Sequence, residues 1–238
     1  MAGPKSPRAM LTRRDAQLLE ALEVMRVVDR EQAMRIAPFT SIPRANARLL
    51  TLVRAGLLSR IASPEEDGVG RKHFYFLPGH VPPRAALPHQ LAINEIFLQV
   101  RAPPAPLLFG SWRRFSTPLS PLVPLIPDGY CVLQTGTGPL ACFVELDLGT
   151  ETGLVWEEKV ERYLTLALSG EFSRIFELSR FRVLVVGPTE KRIQSLRSIV
   201  VGATDKLFWF ATISSIKREG LFSPIWLRPE GDQRLSFI

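Results

Sequence analysis

The chain has 238 residues, 46% hydrophobic and 22% charged, so it is long and apolar enough for one large domain or two modest ones. It contains no run of about 18 apolar residues and no apolar segment near its start, so we expect neither a membrane span nor a secretory signal, and a cytoplasmic protein. Its two cysteines exclude a disulfide framework.

The net charge of +7 is concentrated at one end of the chain. Residues 1–84 contain 14 Lys and Arg against 8 Asp and Glu, whereas residues 85–238 contain 16 against 15. This asymmetry is typical of a basic nucleic-acid module followed by a different domain. The Pro-rich segment PGHVPPRAALP lies between the two parts. We therefore predict a first domain at 1–80, a linker at 81–88 and a second domain at 89–238.

Three helices and a hairpin are predicted in the first domain. Thr12, Asp29 and Ser41 each precede a segment with helical spacing of apolar residues, as N-cap residues do. Pro38 ends the second helix, and Gly56 ends the third. The segment LLSRIASPEEDGVGRKHFYFLP predicts two strands around a turn rich in Pro, Gly and Asp. This order is typical of a winged helix-turn-helix that binds double-stranded DNA.

In such a fold the third helix enters the major groove, where Arg pairs with guanine and Asn with adenine. A basic hairpin contacts phosphate. The candidate DNA-binding residues are Arg44, Asn46, Arg48 and Thr51 on the helix, with Arg71 and Lys72 on the hairpin. Two alternatives stay open, because the same arginines would suit a solvated helix face and winged helices also dock proteins.

The second domain is predicted to contain, in order, a helix, three strands, a helix, a strand, a helix and a strand. The helices are expected in HQLAINEIFLQVRA, TGLVWEEKVERYLTLALSG and EKRIQSLRSIVVGA. The strands that follow the hairpin are FRVLVVGP and KLFWFATI. This order predicts a mixed sheet with helices on its faces. The fold class is therefore α+β or α/β.

The hairpin IPDGYCVLQTGTGPLACFVELDLGTE carries acidic residues at matching positions. If QTGTGP is the loop, Leu133 pairs with Leu140, and Asp128 then faces Glu145. Side chains directly opposite lie about 5 Å apart, so two such anions either raise a pKa or bind a cation. Mg²⁺ is the expected cation, with Asp147 on the same face as a third metal ligand. Alternatively, these acids lie on a solvent-exposed sheet face.

Four segments together resemble the replication-relaxation family of bacterial plasmids and mobile elements, over roughly residues 11 to 200. They are LTRRDAQLLEAL, ARLLTLVRAGLLSR, HQLAINEIFL and the series PDGY, FVELDLGTET and EKVERYLTLA. The resemblance implies a second domain similar to the restriction-endonuclease-like PD-(D/E)xK fold, with an α-β-β-β-α-β core. By position, the resemblance implies that Asp128 and Glu145 are the strand acids and that Glu95 is the helix-borne acid of a catalytic site.

The chain departs from that nuclease pattern at one position, since Asp147 occurs where a lysine is expected. Lys159 on the next helix is a candidate substitute, because it shares a helical face with Tyr163 and Leu166. The alternative is that Lys159 belongs to a solvated charged face on which Glu158 pairs with Arg162.

The sequence is compatible with three functions. The first is a DNA-binding accessory protein of plasmid or mobile-element replication or mobilisation, whose nuclease-like domain is non-catalytic. The second is a Mg²⁺-dependent endonuclease or nickase, and the third is a transcriptional repressor. A homodimer or an element-encoded protein partner is expected alongside DNA.

Overall fold

The computed structural model describes residues 10–63 and 72–238, and the chain divides into two compact units, the first ending at Leu98 and the second running over Gln99–Ile238. The helices are α1 (Arg13–Met25), α2 (Arg30–Ile36), α3 (Ile42–Arg54), α4 (Leu87–Val100), α5 (Gly153–Leu168), α6 (Glu171–Phe176), α7 (Glu190–Val201) and α8 (Ile213–Glu219). The strands are β1 (Val27–Asp29), β2 (Ser59–Ala62), β3 (His73–Phe76), β4 (Leu108–Arg113), β5 (Gly129–Thr135), β6 (Gly138–Leu146), β7 (Phe181–Gly187) and β8 (Phe208–Thr212).

Side-chain caps fix where the first three helices begin. Thr12 and Asp15 form a capping box at α1, in which Asp15 N donates to Thr12 Oγ1 at 3.3 Å and Thr12 N donates to Asp15 Oδ2 at 2.7 Å. Asp29 accepts from Gln32 N at α2, and Ser41 accepts from Arg44 N at α3. All three predicted N-caps are therefore present.

The first unit contains a three-stranded sheet rather than a simple hairpin. Its order is β1-β3-β2, and both pairings are antiparallel. The strand β1 was not predicted, because its three residues directly join α1 to α2 and are too few to show alternation. Val27 of β1 packs with Phe74 and Phe76 of β3 in a small buried cluster.

The helix α4 packs with the first unit, whereas the sequence placed it at the start of the second domain. Asn94 Nδ2 donates to Val27 O at 2.6 Å, and Gln32 Nε2 donates to Leu91 O at 2.8 Å. Most of α4 thus belongs to the unit that ends at Leu98, and the division falls later than the predicted linker at 81–88. The buried amides of Asn94 on α4 and Gln32 on α2 favour this packing, because each amide needs a carbonyl acceptor and finds it on the other side of the contact.

The second unit is built around a five-stranded mixed sheet of order β4-β5-β6-β7-β8. The pairs β4–β5 and β5–β6 are antiparallel, and the pairs β6–β7 and β7–β8 are parallel. The helices α5 and α7 provide the crossover connections that parallel neighbours require. A core rich in aromatic residues, including Phe143, Trp156 and Tyr163, lies between these helices and the sheet.

The predicted α+β fold class and the predicted order of the larger elements are both observed, with α6 and α8 as short additions. No helix in the described ranges is long and apolar enough to cross a membrane.

Candidate functional site

The two strand acids are brought together by the register of β5 and β6. Gly129 pairs with Val144 and Leu133 with Leu140, so the next position along the hairpin sets Asp128 opposite Glu145. Asp128 Oδ2 accepts a hydrogen bond from Leu146 N at 2.8 Å, which holds this carboxylate against the end of β6. The register thus matches the one expected from the sequence.

Gly129 is required beside Asp128 for a steric reason. A Cβ atom at this position would lie 2.7 Å from Cζ2 of Trp112, which is closer than carbon atoms approach without displacement. The ring of Trp112 therefore occupies the space that a side chain would need. This contact on β4 fixes the backbone from which Asp128 projects.

Helix α5 presents two donors to Glu145, whose side chain is 1% exposed. Lys159 Nζ lies 3.0 Å from Glu145 Oε2, and Tyr163 Oη donates to Glu145 Oε1 at 2.6 Å. The two donors are four residues apart, so they project from the same face of the helix. The structure thus brings together Glu145 and Lys159, which the sequence had paired only through a family pattern.

A second carboxylate, Glu151, shares the Lys159 ammonium. Lys159 Nζ lies 2.8 Å from both Glu151 oxygens, and only 15% of the lysine side chain is exposed. Sequence reasoning missed Glu151, which lies in the loop before α5, and the only available signal was its position near the helix start. The exposed pair Glu158–Arg162 does form on the same helix, at 2.9 Å, but Lys159 is not part of it.

Two carboxylates therefore share one ammonium group, and a third, Asp128, faces Glu145 across the hairpin. The pKa of Glu145 is raised to about 7, because burial and the neighbouring Asp128 together outweigh the opposing effects of Lys159 and Tyr163. Burial lowers the pKa of Lys159, but Glu145 and Glu151 outweigh it and raise this pKa above its usual value. Lys159 therefore stays positively charged. The carboxyl groups of Asp128, Glu145 and Glu151 outnumber this one ammonium group.

Asp147 has separate partners. Its side chain is buried and accepts from Trp156 Nε1 at 2.5 Å, from Arg192 Nε at 3.1 Å and from Gly149 N. Arg192 Nη2 also pairs with it. These donors satisfy the charge of Asp147, which the sequence had proposed as a metal ligand. Within the described ranges there is no group of three or more His, Cys, Asp or Glu side chains arranged to hold a metal ion.

The fit of Mg²⁺ to this site follows from those contacts. Mg²⁺ is commonly bound by one or two carboxylates together with water. Asp128 and Glu145 supply the two carboxylates, but Lys159 and Tyr163 already donate to the two oxygens of Glu145, so Mg²⁺ would replace one of these donors. Asp147 fits less well, since Arg192 pairs with its carboxylate and Trp156 also donates to it.

Glu95 lies in the first unit. Arg35 Nη1 donates to Glu95 Oε2 at 2.5 Å, and the Glu95 side chain is 11% exposed. Glu95 thus belongs to the unit that ends at Leu98, and its assignment as the helix-borne acid of a catalytic site stays a prediction.

Arg48, which the sequence proposed as a base-reading residue of α3, is bound to a buried acid of α1. Arg48 Nε donates to Asp15 Oδ1 at 3.0 Å, and Arg48 Nη2 pairs with Asp15 Oδ2. Burial raises the pKa of Asp15, but hydrogen bonds from Arg48 and Thr12 outweigh it and lower this pKa to about 2. Arg48 thus fastens α3 to the start of α1.

The other candidates on α3 are exposed. Arg44, Asn46 and Thr51 all lie on the solvent side, with Arg44 Nη1 donating to Thr40 Oγ1 at 3.0 Å and Thr51 Oγ1 to Ala47 O at 2.9 Å. The Lys72 side chain is 56% exposed, and its Nζ atom lies 3.1 Å from Asp29 Oδ2. Arg71 falls outside the described residues.

Three arginines line a small cavity where α1 meets α3. Its volume is about 240 Å³, and Arg14, Arg44 and Arg48 contribute to its wall beside Thr12 and Thr40. The Arg14 guanidinium carbon lies 5.4 Å from the centre of the Phe39 ring. Sequence reasoning missed Arg14, because it considered only the third helix and the hairpin as nucleic-acid contacts.

Comparison with known proteins supports one assignment. Residues 77–177 match the family model described as "Replication-relaxation", the family that the sequence resembles over a longer segment, and this match supports that resemblance. Neither the curated proteins nor the solved structures provide a match.

Proposed function

We propose that this chain, a member of the replication-relaxation family by its segment 77–177, is an accessory protein of plasmid or mobile-element replication or mobilisation that binds double-stranded DNA. The observation that carries the proposal is the cavity at α1 and α3, whose wall contains three arginines. Convergent guanidinium groups attract phosphate, which dominates the affinity of proteins for DNA.

The first unit would act as a winged helix in this proposal. Three helices followed by two antiparallel strands support that reading, with β1 completing the sheet. The exposed face of α3 would enter the major groove and present Arg44, Asn46 and Thr51 to base edges. Arg48 would hold α3 in position through its contact with Asp15 and would not read a base. Arg14 would be an additional contact to phosphate.

Binding of a labelled duplex by fluorescence anisotropy, over a series of salt concentrations, tests this proposal. We expect Arg14→Gln and Arg44→Gln each to weaken binding about tenfold and to reduce the salt slope by about one. Arg54→Gln is the matched control, because Arg54 is exposed on α3 but does not line the cavity. Unchanged affinity in the double variant Arg14→Gln/Arg44→Gln would reject the interface.

A second candidate function, a metal-dependent endonuclease or nickase, is favoured by the contact between Lys159 and Glu145. The order of helices and strands around β5 and β6 supports a nuclease-like fold as part of this candidate. Asp128 and Glu145 would hold Mg²⁺, which supplies positive charge and acidifies water when bound. Lys159 would place its ammonium beside the scissile phosphate. Tyr163 would keep the Glu145 carboxylate oriented.

Incubation of supercoiled plasmid with the protein and Mg²⁺ or Mn²⁺ separates the two candidates. For the endonuclease, we expect nicking that falls at least about a hundredfold in Glu145→Gln and Lys159→Met. The control is Arg162→Gln, which alters the exposed pair on the same helix. Duplex binding without nicking, together with no uptake of Mn²⁺ by calorimetry, would reject the endonuclease and leave the accessory function in place.

A further inference from the structure

A large cavity of the second unit lies at the end of the β5–β6 hairpin remote from the acid pair. Its volume is about 630 Å³, and its wall includes residues 135–140 of the hairpin turn, residues 104–107 and residues 180–182. Glu145 lies seven positions after Gly138 in β6, a distance of about 23 Å along an extended strand. The cavity is therefore distinct from the site around Glu145.

Two arginines give this cavity its charge. Arg180 is exposed and Arg182 is partly buried, and both line the cavity. Neither forms an ion pair within the described ranges, and no Asp or Glu side chain from those ranges lines the wall. Burial lowers the pKa of Arg182, and the neighbouring Arg180 lowers it further. Two arginines thus line the cavity, and its wall contains no Asp or Glu side chain of the described ranges.

Arg182 also has an unused donor. Its Nη1 atom is buried and has no hydrogen-bond partner in the described part of the chain. A buried donor without an acceptor costs about 1–3 kcal/mol, more when the group is charged, and native proteins rarely leave one unsatisfied. An anion bound beside Arg182 would provide the missing acceptor. Such a ligand would also offset the repulsion between the two arginines.

The remaining wall is largely apolar. Pro106, Leu107 and Phe222 contribute to it, and the hydroxyl-bearing side chains of Thr135 and Thr137 lie at the hairpin turn. A volume of about 300–1,000 Å³ is typical of small-molecule sites and exceeds what a free inorganic anion needs. The ligand would therefore combine an anionic group with a larger apolar or aromatic body.

We propose that this cavity binds a phosphate monoester attached to an aromatic body, as in a nucleoside monophosphate or the phosphorylated end of a nucleic-acid strand. A phosphate monoester carries a charge of about −1.5 to −2 at neutral pH, which matches two guanidinium groups better than a carboxylate does. Arg180 and Arg182 donate to the phosphate oxygens, and the wall containing Pro106 and Phe222 packs against the base.

Binding of adenosine 5′-monophosphate to the full-length protein, measured by calorimetry, tests the proposal. We expect adenosine and inorganic phosphate each to bind at least about tenfold more weakly than the monophosphate. Trp209 provides a second readout, because the Arg182 guanidinium carbon lies 5.3 Å from its ring centre and ligand binding will change the tryptophan emission.

Substitutions then locate the site. Arg180→Gln lowers the affinity for the monophosphate about tenfold, and Arg182→Lys lowers it less than Arg182→Gln because it keeps the charge. Arg174→Gln is the matched control, since Arg174 is an exposed arginine of the same unit that pairs with Glu171 outside the cavity. Equal binding of adenosine and its monophosphate, or an unchanged affinity in Arg180→Gln, would overturn the proposal.

Short single strands with and without a 5′-phosphate distinguish the two sources of the phosphate. They are measured in the Arg14→Gln/Arg44→Gln background, so that contacts of the first unit do not contribute. Tighter binding of the phosphorylated strand than of the monophosphate assigns the cavity to strand ends, and the reverse order assigns it to free nucleotides. A phosphate-independent affinity for the strand contradicts the proposal.

Discussion

Each unit of the molecule buries a carboxylate against a cation from a neighbouring helix, and the two pairs behave in opposite ways. In the first unit, Asp15 accepts from Arg48 and from the amide and hydroxyl of Thr12, and its pKa is lowered to about 2. In the second, Glu145 accepts from Lys159 and Tyr163, yet burial raises its pKa to about 7.

Burial is the largest cause that raises both pKa values; the donors outweigh it at Asp15 but not at Glu145, where more acids share the cation. Arg48 pairs with Asp15 alone, whereas the ammonium of Lys159 serves Glu145 and Glu151 with Asp128 nearby. A compensated pair such as the first stabilises the fold. An under-compensated group in a pocket is the kind of arrangement that occurs at functional sites. The comparison therefore separates a structural pair from a candidate active site within one chain.

Removal of the Arg48 cation from the first unit is expected to change the free energy of unfolding more than any other substitution below. Arg48→Met leaves the carboxylate of Asp15 buried without its main partner, so we expect a loss of about 3 kcal/mol in the free energy of unfolding. Hydrogen–deuterium exchange of α1 and α3 measures this loss. Tryptophan emission reports only the second unit, since all four tryptophans follow residue 98, and should not change.

Arg54→Met is the control for that experiment, because Arg54 is exposed near the end of the same helix. A cost below about 1 kcal/mol in Arg48→Met would mean that the Asp15 pair is not a structural one.

Asp15→Asn is expected to cost about 2 kcal/mol at pH 7. The pKa of this carboxyl falls from 3.8 to about 2 on folding, so its ionised form stabilises the folded state. That stabilisation is complete above about pH 5 and is lost as the pH falls through 2. The stability of the wild type and the variant should therefore converge between pH 5 and pH 2, as measured by exchange of α1.

Glu23→Gln on the exposed face of α1 is the matched control and should show no such convergence. A gap between wild type and Asp15→Asn that stays constant down to pH 2 would contradict the assignment.

Glu145→Gln makes the same chemical change in the second unit and is expected to cost less than about 1 kcal/mol. The pKa of Glu145 rises from 4.5 to about 7 on folding, so ionisation opposes folding. The wild type therefore loses stability relative to the variant as the pH rises from 4.5 to 7. Denaturant unfolding followed by tryptophan emission at both pH values checks the sign, which is opposite to that for Asp15.

A loss of more than about 2 kcal/mol in Glu145→Gln at pH 7 would show that the two buried carboxylates have the same structural role.

The smallest effect is expected at the exposed pair of α5. Arg162→Gln should change the stability of the second unit by less than about 0.5 kcal/mol, because 38% of the arginine side chain and 62% of its partner Glu158 are exposed. Added salt should reduce even this difference. A larger change would indicate that charges on the open face of α5 affect the pocket around Lys159.

Sequence patterns predicted the parts of this molecule that depend on neighbours along the chain. Thr12, Asp29 and Ser41 were identified as caps because a cap acts within three residues. The facing of Asp128 and Glu145 followed from a single turn, since the register of a hairpin is constant along its length.

Contacts between distant residues could not be predicted in this way. The contact of Arg48 with Asp15, 33 positions away, and that of Asp147 with Arg192, 45 positions away, were not foreseen. Helical spacing gives the side of a helix on which a residue lies but does not identify the acid or base across from it. The contact of Glu95 with Arg35, 60 positions away, was not foreseen either.

The helix α5 serves both buried acids at the end of β6 at once. Trp156 donates to Asp147, while Lys159 and Tyr163 donate to Glu145. A single residue inserted between Asp147 and Trp156 would turn the whole helix by about 100° relative to the sheet if the helix kept its axial position. Both sets of donors would then leave their acceptors together, so the length of this short connection, and not only the identity of its residues, determines whether the pocket exists.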